Sequence, residues 1–393
     1  MSIGARRVRV LAVVPLLGTV LAAVVPSSAP SASAARWAGQ PSRLASLRAD
    51  GMLFGVAAIS ARSAWAVGLA GRARSPRTLI ERWGGGAWRR VPSPATASGG
   101  MLNTVAVTSA RGAWAAGQTG SLFSSKPTTL IERWNGTAWR RVPSPNPVGG
   151  GTLYGLAAIS DHSAWAVGQT GGLFSRRPKT LILRWNGTAW RRRPSPNPAT
   201  PGSWLGAVAA TSDRSAWAVG CACNGTPLKT LIERWNGTRW RIVPSPNPTG
   251  DSVLYGVGVT SAGTTWAVGC TSCERAKPKT LILRWNGTAW KRVPSPNPAD
   301  GGTLAGVAFT SARNAWAVGY TEGPSQRQPK TVIERWDGTK WKLVPSPSPT
   351  GTARLFGVAG ASTRSAWAVG LSGGLFSANP KTVALHWNGT AWQ

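Results

Sequence analysis

Acidic residues and histidines are scarce in this chain. Its 393 residues include 12 Asp and Glu and 2 His, against 45 Lys and Arg. A glycosidase needs two carboxyl groups around one centre, and no such pair stands out in the sequence. No glycine-rich phosphate-binding loop is present, and nothing in the sequence calls for a metal or another cofactor. The sequence therefore favours a non-catalytic role.

Long apolar runs are missing too, apart from one at the N-terminus. Residues 10–25 are apolar and follow Arg6, Arg7 and Arg9, and Ala32-Ser33-Ala34 resembles a cleavage site. This pattern predicts a signal peptide over residues 1–34 and an extracellular or cell-wall-associated protein. A twin-arginine signal and an uncleaved anchor are alternatives, although about 16 apolar residues fall short of the ~20 in a spanning helix.

The positive charge is large and nearly unopposed. The formal net charge of +33 becomes +30 when the three signal arginines are subtracted. Such a charge favours polyanionic partners, for example teichoic acids, anionic lipid headgroups, acidic polysaccharides or extracellular DNA. The alternative is a compositional bias, because the basic residues are spread along the whole chain.

Tryptophan, in contrast, is abundant and regularly placed. A phrase close to Ala-Trp-Ala-Val-Gly recurs seven times at intervals of 49 to 52 residues. Two more tryptophans, five residues apart, follow in each repeat, and the three sets account for 21 of the 23 tryptophans. The sets are Trp65, Trp114, Trp165, Trp217, Trp266, Trp316 and Trp367; Trp83, Trp134, Trp185, Trp235, Trp285, Trp336 and Trp387; and Trp88, Trp139, Trp190, Trp240, Trp290, Trp341 and Trp392. A period near fifty indicates a repeat architecture, and we expect these tryptophans to pack the repeats together.

Each repeat reads as four short strands, A to D, with no helical periodicity. Residues 153–198 show the pattern LYGLAAIS, SAWAVG, KTLILRW and AWRRRPSPNP, bounded by Gly, Ser, Asn or Pro. The phrase Trp-Asn-Gly-Thr joins strands C and D, and Asn-Gly is a strong signal for a tight hairpin with positive φ at both central residues. Seven such repeats predict an all-β fold, a seven-bladed β-propeller with four antiparallel strands per blade. A β-solenoid is the alternative.

These phrases resemble the kelch family of propellers, with one glycine instead of two after the second strand. They resemble more closely the secreted, tryptophan-rich repeat proteins of actinobacteria with Ala-Trp-Ala-Val-Gly and Trp-Asn-Gly-Thr phrases. The resemblance covers residues 52–393 and implies a secreted propeller of unassigned function.

The two ends of the chain suggest how the ring closes. Trp37 to Ser42 matches a strand-D phrase in its Trp, Pro and Ser, whereas the last such phrase stops at Trp392-Gln393. We expect the N-terminal segment to complete blade seven as a closing strand, which would remove an exposed sheet edge. The expected organisation is a signal peptide over 1–34, a closing strand and lead-in over 35–51, and the propeller over 52–393.

Candidate binding residues come from the places where the repeats differ. Four aromatics open strand A at one register, in blades one, three, five and seven, and Trp204 lies outside the repeated sets; they are Phe54, Tyr154, Trp204, Tyr255 and Phe356. We expect them at the upper mouth of the channel, on the face of the D–A and B–C loops. Beside arginine they suit sugar rings or a protein partner. The alternative is that they fill the spaces between blades.

Four cysteines lie in two neighbouring B–C loops, as Cys221-Ala-Cys223 and Cys270-Thr-Ser-Cys273. In an exported protein they predict two local disulfides. A zinc site and bridges between blades are alternatives. Four glutamates at one register of strand C, which Leu replaces in other blades, are expected to pair with strand-D arginines; they are Glu81, Glu132, Glu233 and Glu334.

The sequence thus predicts a monomeric, secreted binding or adhesion module for a glycan or an anionic cell-surface polymer, without a membrane span. A protein partner is also compatible with the exposed aromatics. The alternatives are a polysaccharide-active enzyme with its site on the upper face, and an envelope component held by charge alone.

Overall fold

The computed structural model describes residues 50–393 except 199–201, 224–226, 249, 261–262, 276, 322–327, 376 and 378. The predicted signal peptide and the predicted closing segment from Trp37 to Ser42 lie outside these residues. Among the described residues, no helix has the length and apolar character needed to cross a membrane.

The strands follow the predicted repeats, four per blade in blades one to six. Blade one contains β1 (Gly51–Ser60), β2 (Ser63–Ala70), β3 (Arg77–Trp83) and β4 (Trp88–Arg90). Blade two contains β5 (Gly100–Ser109), β6 (Gly112–Thr119), β7 (Thr129–Trp134) and β8 (Trp139–Arg141). Blade three contains β9 (Gly151–Ser160), β10 (Ser163–Thr170), β11 (Thr180–Trp185) and β12 (Trp190–Arg193). Blade four contains β13 (Ser203–Ser212), β14 (Ser215–Ala222), β15 (Lys229–Trp235) and β16 (Trp240–Ile242).

The remaining blades continue the same order. Blade five contains β17 (Ser252–Val259), β18 (Thr265–Thr271), β19 (Lys279–Trp285) and β20 (Trp290–Val293). Blade six contains β21 (Thr303–Ser311), β22 (Asn314–Tyr320), β23 (Thr331–Trp336) and β24 (Trp341–Leu343). A single 3-10 turn, Pro349–Gly351, precedes blade seven, which contains β25 (Ala353–Ser362), β26 (Ser365–Ser372) and β27 (Lys381–Trp387).

Each blade is one antiparallel sheet with its strands in chain order. Blades one to six have four strands, and blade seven has three strands plus an isolated bridge between Trp387 and Trp392. The backbone of His386 exchanges two hydrogen bonds with Gln393, of 2.9 and 3.0 Å, so Trp392 and Gln393 occupy the start of the fourth-strand position. The predicted seven-bladed propeller is confirmed.

The repeated tryptophans join neighbouring blades, as predicted. Trp65 of blade one packs against Trp134 and Trp139 of blade two, with ring centroids 5.0 and 5.2 Å apart. The ring closes through the same contact, because Trp367 of blade seven packs against Trp83 and Trp88 of blade one at 4.7 and 5.1 Å. Aromatic pairs in these tilted and edge-on arrangements are stabilising beyond the area that they bury.

A cation lies over the strand-B tryptophan in six of the seven blades. Arg133, for example, places its guanidinium 5.0 Å from the ring of Trp114. In blade seven His386 takes this position and stacks on Trp367 with centroids 4.1 Å apart. Burial lowers the pKa of His386, so the neutral imidazole is favoured where the other blades carry a charge.

The C–D hairpins differ in one respect from the expected turn. In blade two, Trp134 pairs with Trp139, which leaves a loop of four residues instead of two. Only Gly136 has a positive φ, of 99°, whereas the Oδ1 atom of Asn135 accepts hydrogen bonds from the backbone of Thr137 and Ala138. The asparagine is therefore used for its side-chain acceptor, which explains why Asp337 can replace it in blade six.

Candidate functional site

A β-bulge interrupts every strand A at the same place. In blade one Leu53 pairs with Gly68 and Gly55 pairs with Val67, which leaves Phe54 as an extra residue in the ladder. A bulge re-aims the extra side chain, and strand A lines the central channel in every blade. The seven extra residues are Phe54, Asn103, Tyr154, Gly206, Tyr255, Ala305 and Phe356.

The glycine of the repeated Trp-Ala-Val-Gly phrase is a consequence of this bulge. A Cβ atom on Gly68 would lie 1.9 Å from the carbonyl oxygen of Met52, and the same clash recurs at 1.8 to 2.0 Å in all seven blades. Only glycine leaves room for the strand-A carbonyl that the bulge pushes toward strand B. The glycine of the repeated phrase is therefore required by the bulge that directs a side chain into the channel.

The seven bulge residues meet around one cavity of about 230 Å³ in the central channel. Its walls consist of each bulge residue, the two residues that follow it, and Trp204. All five residues that the sequence nominated as ligand-binding line this one space. Whether they bind a ligand stays a prediction.

The aromatics of the cavity differ in how much surface they offer. Trp204 is 1% exposed; it stacks on Tyr255 with centroids 5.8 Å apart and fills the space above Gly206. Phe54 and Phe356 are also buried and contact each other at 5.8 Å. Tyr154 and Tyr255 are less buried than these three residues, although the hydroxyl of Tyr154 is itself fully buried.

A buried cap, which is mostly apolar, closes the upper end of the channel, where strand A begins. The residue two positions before each bulge is almost fully buried; these residues are Met52, Met101, Thr152, Trp204, Val253, Thr303 and Arg354. Leu122, Leu173 and Leu375 of the B–C loops join the same buried cluster as Met52 and Phe54. Exposure rises again along the lower half of strand A, so the cavity opens toward the lower face. Phe54, Tyr154, Tyr255 and Phe356 thus lie beneath this cap and Trp204 forms part of it, whereas the sequence analysis expected all five at the upper mouth.

Asn103 is the residue that sequence reasoning missed. It is the bulge residue of blade two and lines the cavity between Phe54 of blade one and Tyr154 of blade three. Its Nδ2 atom donates to the carbonyl oxygen of Leu153 at 2.8 Å, whereas its Oδ1 atom is buried and has no hydrogen-bond partner among the described residues. Its register, shared with the four aromatics, was the available signal in the sequence.

The four strand-C glutamates lie between blades, away from the cavity. Glu132 accepts hydrogen bonds from Ser93 of the preceding blade at 3.0 Å, and Ser195 and Ser295 make the same contact with Glu233 and Glu334. Glu81 and Glu132 lie opposite Arg90 and Arg141 in the ladder, but Ile242 and Leu343 occupy that position for the other two. The expected pairing with a strand-D arginine is therefore open to Glu81 and Glu132 alone. A serine of the preceding blade is the partner that Glu132, Glu233 and Glu334 share.

These glutamates have unusual pKa values for a structural reason. Burial raises the pKa of Glu81 and Glu132 to about 7 and that of Glu233 and Glu334 to about 8. The rise is opposed only in part, by the charge of Arg90 at Glu81 and by the serine hydrogen bonds at the other three. A pKa near neutrality often marks a catalytic acid. Here none of the four residues lines the cavity, so the shift reflects packing between blades.

The cysteines pair within their own loops. Cys221 bonds to Cys223 and Cys270 bonds to Cys273, with Cα separations of 5.3 and 5.6 Å. The predicted local pairing is therefore the arrangement in the structure. Both bridges pack beside Trp204 and Val253, so they support the cap over blades four and five.

The B–C loops of blades one to three form a different surface, which we call the upper patch. Phe123 and Phe174 are 39% and 48% exposed and stack nearly parallel, with centroids 5.9 Å apart, and Arg74 lies 5.8 Å from the ring of Phe123. Val148 of the adjoining D–A loop is also exposed. Phe123 and Phe174 each stand in a Leu-Phe-Ser phrase. Phe376 of blade seven has the same phrase and lies outside the described residues.

The upper patch carries charge of one sign. Its three loops, residues 71–76, 120–128 and 171–179, contain six exposed basic residues and no acidic one; they are Arg72, Arg74, Lys126, Arg176, Arg177 and Lys179. The corresponding region of blade five contains Asp251 and Glu274. The upper face is therefore divided into a basic, aromatic side and a disulfide-bonded, mixed-charge side.

Comparison with known proteins identifies the fold and nothing narrower. No family model and no curated protein sequence matches the chain. The kelch-like and tryptophan-rich resemblance therefore stays a prediction from the sequence.

Solved propellers resemble the structure at low sequence identity. YCF48 bound to a D1 peptide is 14% identical, with a TM-score of 0.53 over 83% of this chain and 92% of that one. An ulvan lyase bound to -[GlcA(1-4)Rha3S]- is 10% identical, with a TM-score of 0.56 over 89% and 97%. A GH74 enzyme of Niastella koreensis is 11% identical, with a TM-score of 0.56 over 88% of this chain and 54% of that one. Because one fold hosts unrelated functions, these similarities show the propeller alone.

Proposed function

We propose that the protein is a secreted, non-catalytic binding or adhesion module that holds an acidic glycan or a similar anionic polymer of the cell surface. The observation that carries the proposal is the upper patch, where exposed aromatic side chains lie among six basic residues and the three loops themselves hold no acidic one. Asp50, whose backbone carbonyl accepts a hydrogen bond from Gly71, is ion-paired with Lys381. A patch of this kind spans three blades, which suits an extended chain better than a small ion.

The charge of the upper patch favours anions. The guanidinium of Arg74 lies 5.8 Å from the ring of Phe123, which stacks with Phe174. The other exposed guanidinium and ammonium groups of the three loops add to this positive field. Carboxylate or sulfate groups of a polysaccharide fit this surface, and its C–H faces fit the exposed carbons of Phe174 and Val148.

Two structural neighbours bear on the choice of partner. The ulvan lyase is bound to a saccharide that contains GlcA, and YCF48 is bound to a peptide. A protein partner is therefore an alternative occupant of the same patch. The charge of the patch argues for the anionic polymer, because a neutral peptide would gain nothing from six cations.

An enzymatic role has less support in the described residues. The cavity is lined by no Asp, Glu, His, Lys or Arg, and the four glutamates with raised pKa values lie between blades. Release of unsaturated or reducing products from polysaccharides incubated with the protein would favour the enzyme.

The proposal is tested by binding of the purified protein to polygalacturonate and to its fully methyl-esterified, neutral form. We expect binding only to the charged polymer, and a steep loss of affinity as salt rises through 0.15 M, where the screening length is ~8 Å. Mass spectrometry of the exported protein checks the secretory part, for which we expect an N-terminus at Ala35.

Two double substitutions in the upper patch, each with a control pair elsewhere on the surface, test where the polymer binds. Arg176→Gln with Arg177→Gln, and Phe123→Ala with Phe174→Ala, should each weaken binding by about three- to tenfold, or about 1 kcal/mol. The controls are Arg62→Gln with Arg111→Gln, two exposed arginines of the lower face, and Ile242→Ala with Leu343→Ala, two exposed apolar residues of strand D. Equal losses in the control pairs would show that binding follows the overall charge and that the upper patch has no special role.

A further inference from the structure

We propose that the outer edge of β27 in blade seven is a docking site for residues 39–42 of the same chain, which place the hydroxyl of Ser42 on the carboxyl group of Glu81 in blade one. These four residues lie outside the part of the chain that the structure describes. The docking site is separate from the upper patch, because it lies along a sheet edge at the junction of blades seven and one. Its test therefore requires no polymer.

The fourth-strand position of blade seven is filled only in part by the described residues. Their pairing with the outer edge of β27 stops at His386, and none of them forms a strand beside Leu385 or Ala384 on this side. In blades one to six the fourth strand continues to the isoleucine that Ala384 replaces; in blade one, the N–H group of Val91 donates to the carbonyl oxygen of Ile80 at 2.9 Å. The edge of β27 therefore offers two further ladder positions to an extended segment.

An N-terminal phrase has the register to continue this strand. Residues 37–42 have the Trp, Pro and Ser spacing of residues 88–93, which form and follow the fourth strand of blade one. In blade seven the first two positions of the phrase are held by Trp392 and Gln393. Residues 39–42 can therefore continue the strand from the position after Gln393. Their Pro-Ser pair then falls where each of the other six blades also has one.

The start of blade one shows that the chain arrives over blade seven. The N–H group of Gly51 donates to the carbonyl oxygen of Pro380 at 2.8 Å, just as the first residue of β5 donates to Pro76 of the blade before it at 3.0 Å. Seven or eight residues separate the serine of the Pro-Ser pair from the next strand A in the other blades, and nine separate Ser42 from Gly51. The connection is therefore long enough for Ser42 to reach the edge of β27.

Glu81 lacks the partner that its three counterparts have. In the other blades with this glutamate, the serine that follows the fourth strand of the preceding blade donates to the carboxyl group. No described residue makes this contact with Glu81, and buried polar groups are normally paired. Blade seven precedes Glu81 through an interface with the usual tryptophan contacts, and its equivalent serine is Ser42. The three glutamates that have the contact are fully buried, so the burial of Glu81 agrees with it.

A second hydrogen bond belongs to the same serine position. In blades one to six the serine hydroxyl lies 2.6 to 2.7 Å from a threonine hydroxyl of strand C. The equivalent threonine of blade seven is Thr382, which is buried. Ser42 at this position links Thr382 to Glu81, as Ser93 links blade one to blade two.

Disulfide trapping tests the register of the docked segment. Residue 39 should lie opposite Leu385, as Arg90 lies opposite Glu81 in blade one. This is a pair without mutual backbone hydrogen bonds, for which the Cα atoms are ~4.5 Å apart and within reach of a disulfide. We expect the oxidised, purified protein with Gly39→Cys and Leu385→Cys to form this bond within one chain, which peptide mass spectrometry detects.

A matched pair of cysteines in blade five provides the control. Leu283 has the place of Leu385, but Arg292 lies opposite it in the ladder. Gly39→Cys with Leu283→Cys should therefore give at least about tenfold less linked peptide. Equal linkage in the two proteins, or none in a folded Gly39→Cys and Leu385→Cys protein, overturns the inference. A disulfide-linked dimer also overturns it, because a second copy then supplies the strand.

Serine substitutions test the hydrogen bond without altering the apolar core. Ser42→Ala should lower the melting temperature by about 1–3 °C, as should Ser93→Ala, since each removes a donor to a buried glutamate. In a Glu81→Leu background the effect of Ser42→Ala should shrink, whereas that of Ser93→Ala should stay the same. Leucine holds this register in blades three, five and seven, so the background is expected to fold. No effect of Ser42→Ala, or an equal effect in both backgrounds, overturns the contact with Glu81.

Discussion

The hydroxyl of Ser93 in blade one donates to the carboxyl group of Glu132 in blade two, at 3.0 Å from either oxygen. The same hydroxyl lies 2.7 Å from Thr78 within its own blade. A serine just after the last strand of a blade therefore links a threonine of its own sheet to a glutamate of the next one. The contact recurs for Glu233 and Glu334, so it is part of how this propeller holds its blades in register.

These buried glutamates predict that the protein is less stable at alkaline pH. Burial raises the pKa of Glu233 and Glu334 to about 8, against a usual value of 4.5. The folded state thus favours the protonated carboxyl, and the stability that this supplies below pH 4.5 is lost as pH rises through 7 to 8. We expect the free energy of unfolding in urea to fall between pH 5 and pH 9, by on the order of 1 kcal/mol or more per glutamate.

Two variants test whether the buried glutamates cause this loss of stability at alkaline pH. Glu233→Gln keeps the shape of the side chain and cannot ionise, so its stability should change less between pH 5 and pH 9. Asp161→Asn removes an exposed carboxylate of the lower face and should leave the pH profile as it is. If the free energy of unfolding of the natural protein stays constant between pH 5 and pH 9, the buried glutamates do not control its stability.

The motif glycines predict a sharp contrast between two Gly→Ala substitutions. At Gly168 a Cβ atom would lie 1.9 Å from the carbonyl oxygen of Thr152, whereas at Gly84 it would meet nothing within 4 Å. We expect Gly168→Ala to lower the free energy of unfolding by about 2 kcal/mol or more and to disturb Tyr154 at the bulge. Gly84→Ala should change it by less than ~0.5 kcal/mol. Chemical denaturation measures both, and equal effects would argue against the bulge as the reason for the motif.

His386 predicts a stabilising substitution. It stacks on Trp367 where the other blades place an arginine over the ring. His386→Arg should raise the free energy of unfolding by about 0.5–1 kcal/mol near pH 7, through a cation–π contact.

The same substitution should also change the response to acid. Because burial lowers the pKa of His386, the stability of the natural protein is present above pH ~6.5 and is lost as pH falls from there toward the lower folded-state pKa. The gain from the arginine should therefore grow as pH falls below 6.5. Thermal denaturation at pH 7 and pH 5 provides the comparison; a variant less stable at both would show that the site accepts only the imidazole.

The tryptophan contacts predict that ring closure is as strong as any other interface. Trp367→Ala, between blades seven and one, and Trp165→Ala, between blades three and four, remove equivalent buried side chains. Each should cost about 3–5 kcal/mol. Limited proteolysis should remain confined to loops in both. A much smaller cost for Trp367→Ala would indicate that the two ends of the ring are held chiefly by other contacts.

Some of the candidate site could be predicted from particular residues. The shared register of Phe54, Tyr154, Tyr255 and Phe356 correctly placed four side chains around one channel. Asn103 has the same register, but the prediction followed the aromatic residues alone. Only the structure shows that the Nδ2 atom of Asn103 is hydrogen-bonded and that its Oδ1 atom is buried without a partner among the described residues. The sequence also did not predict that four of the aromatics lie below the cap, since the leucines of the cap come from the loops of three different blades.

The number of blades, their four strands and the role of the tryptophans follow from the chain itself, because short-range patterns of apolar residues, turns and glycines repeat seven times. The closed upper end of the channel and the serine–glutamate contacts between blades do not. Each of these depends on which atoms of one blade meet those of the next, such as Ser195 and Glu233. Such contacts are set by how whole sheets pack around the axis, and no local pattern in the sequence encodes that geometry.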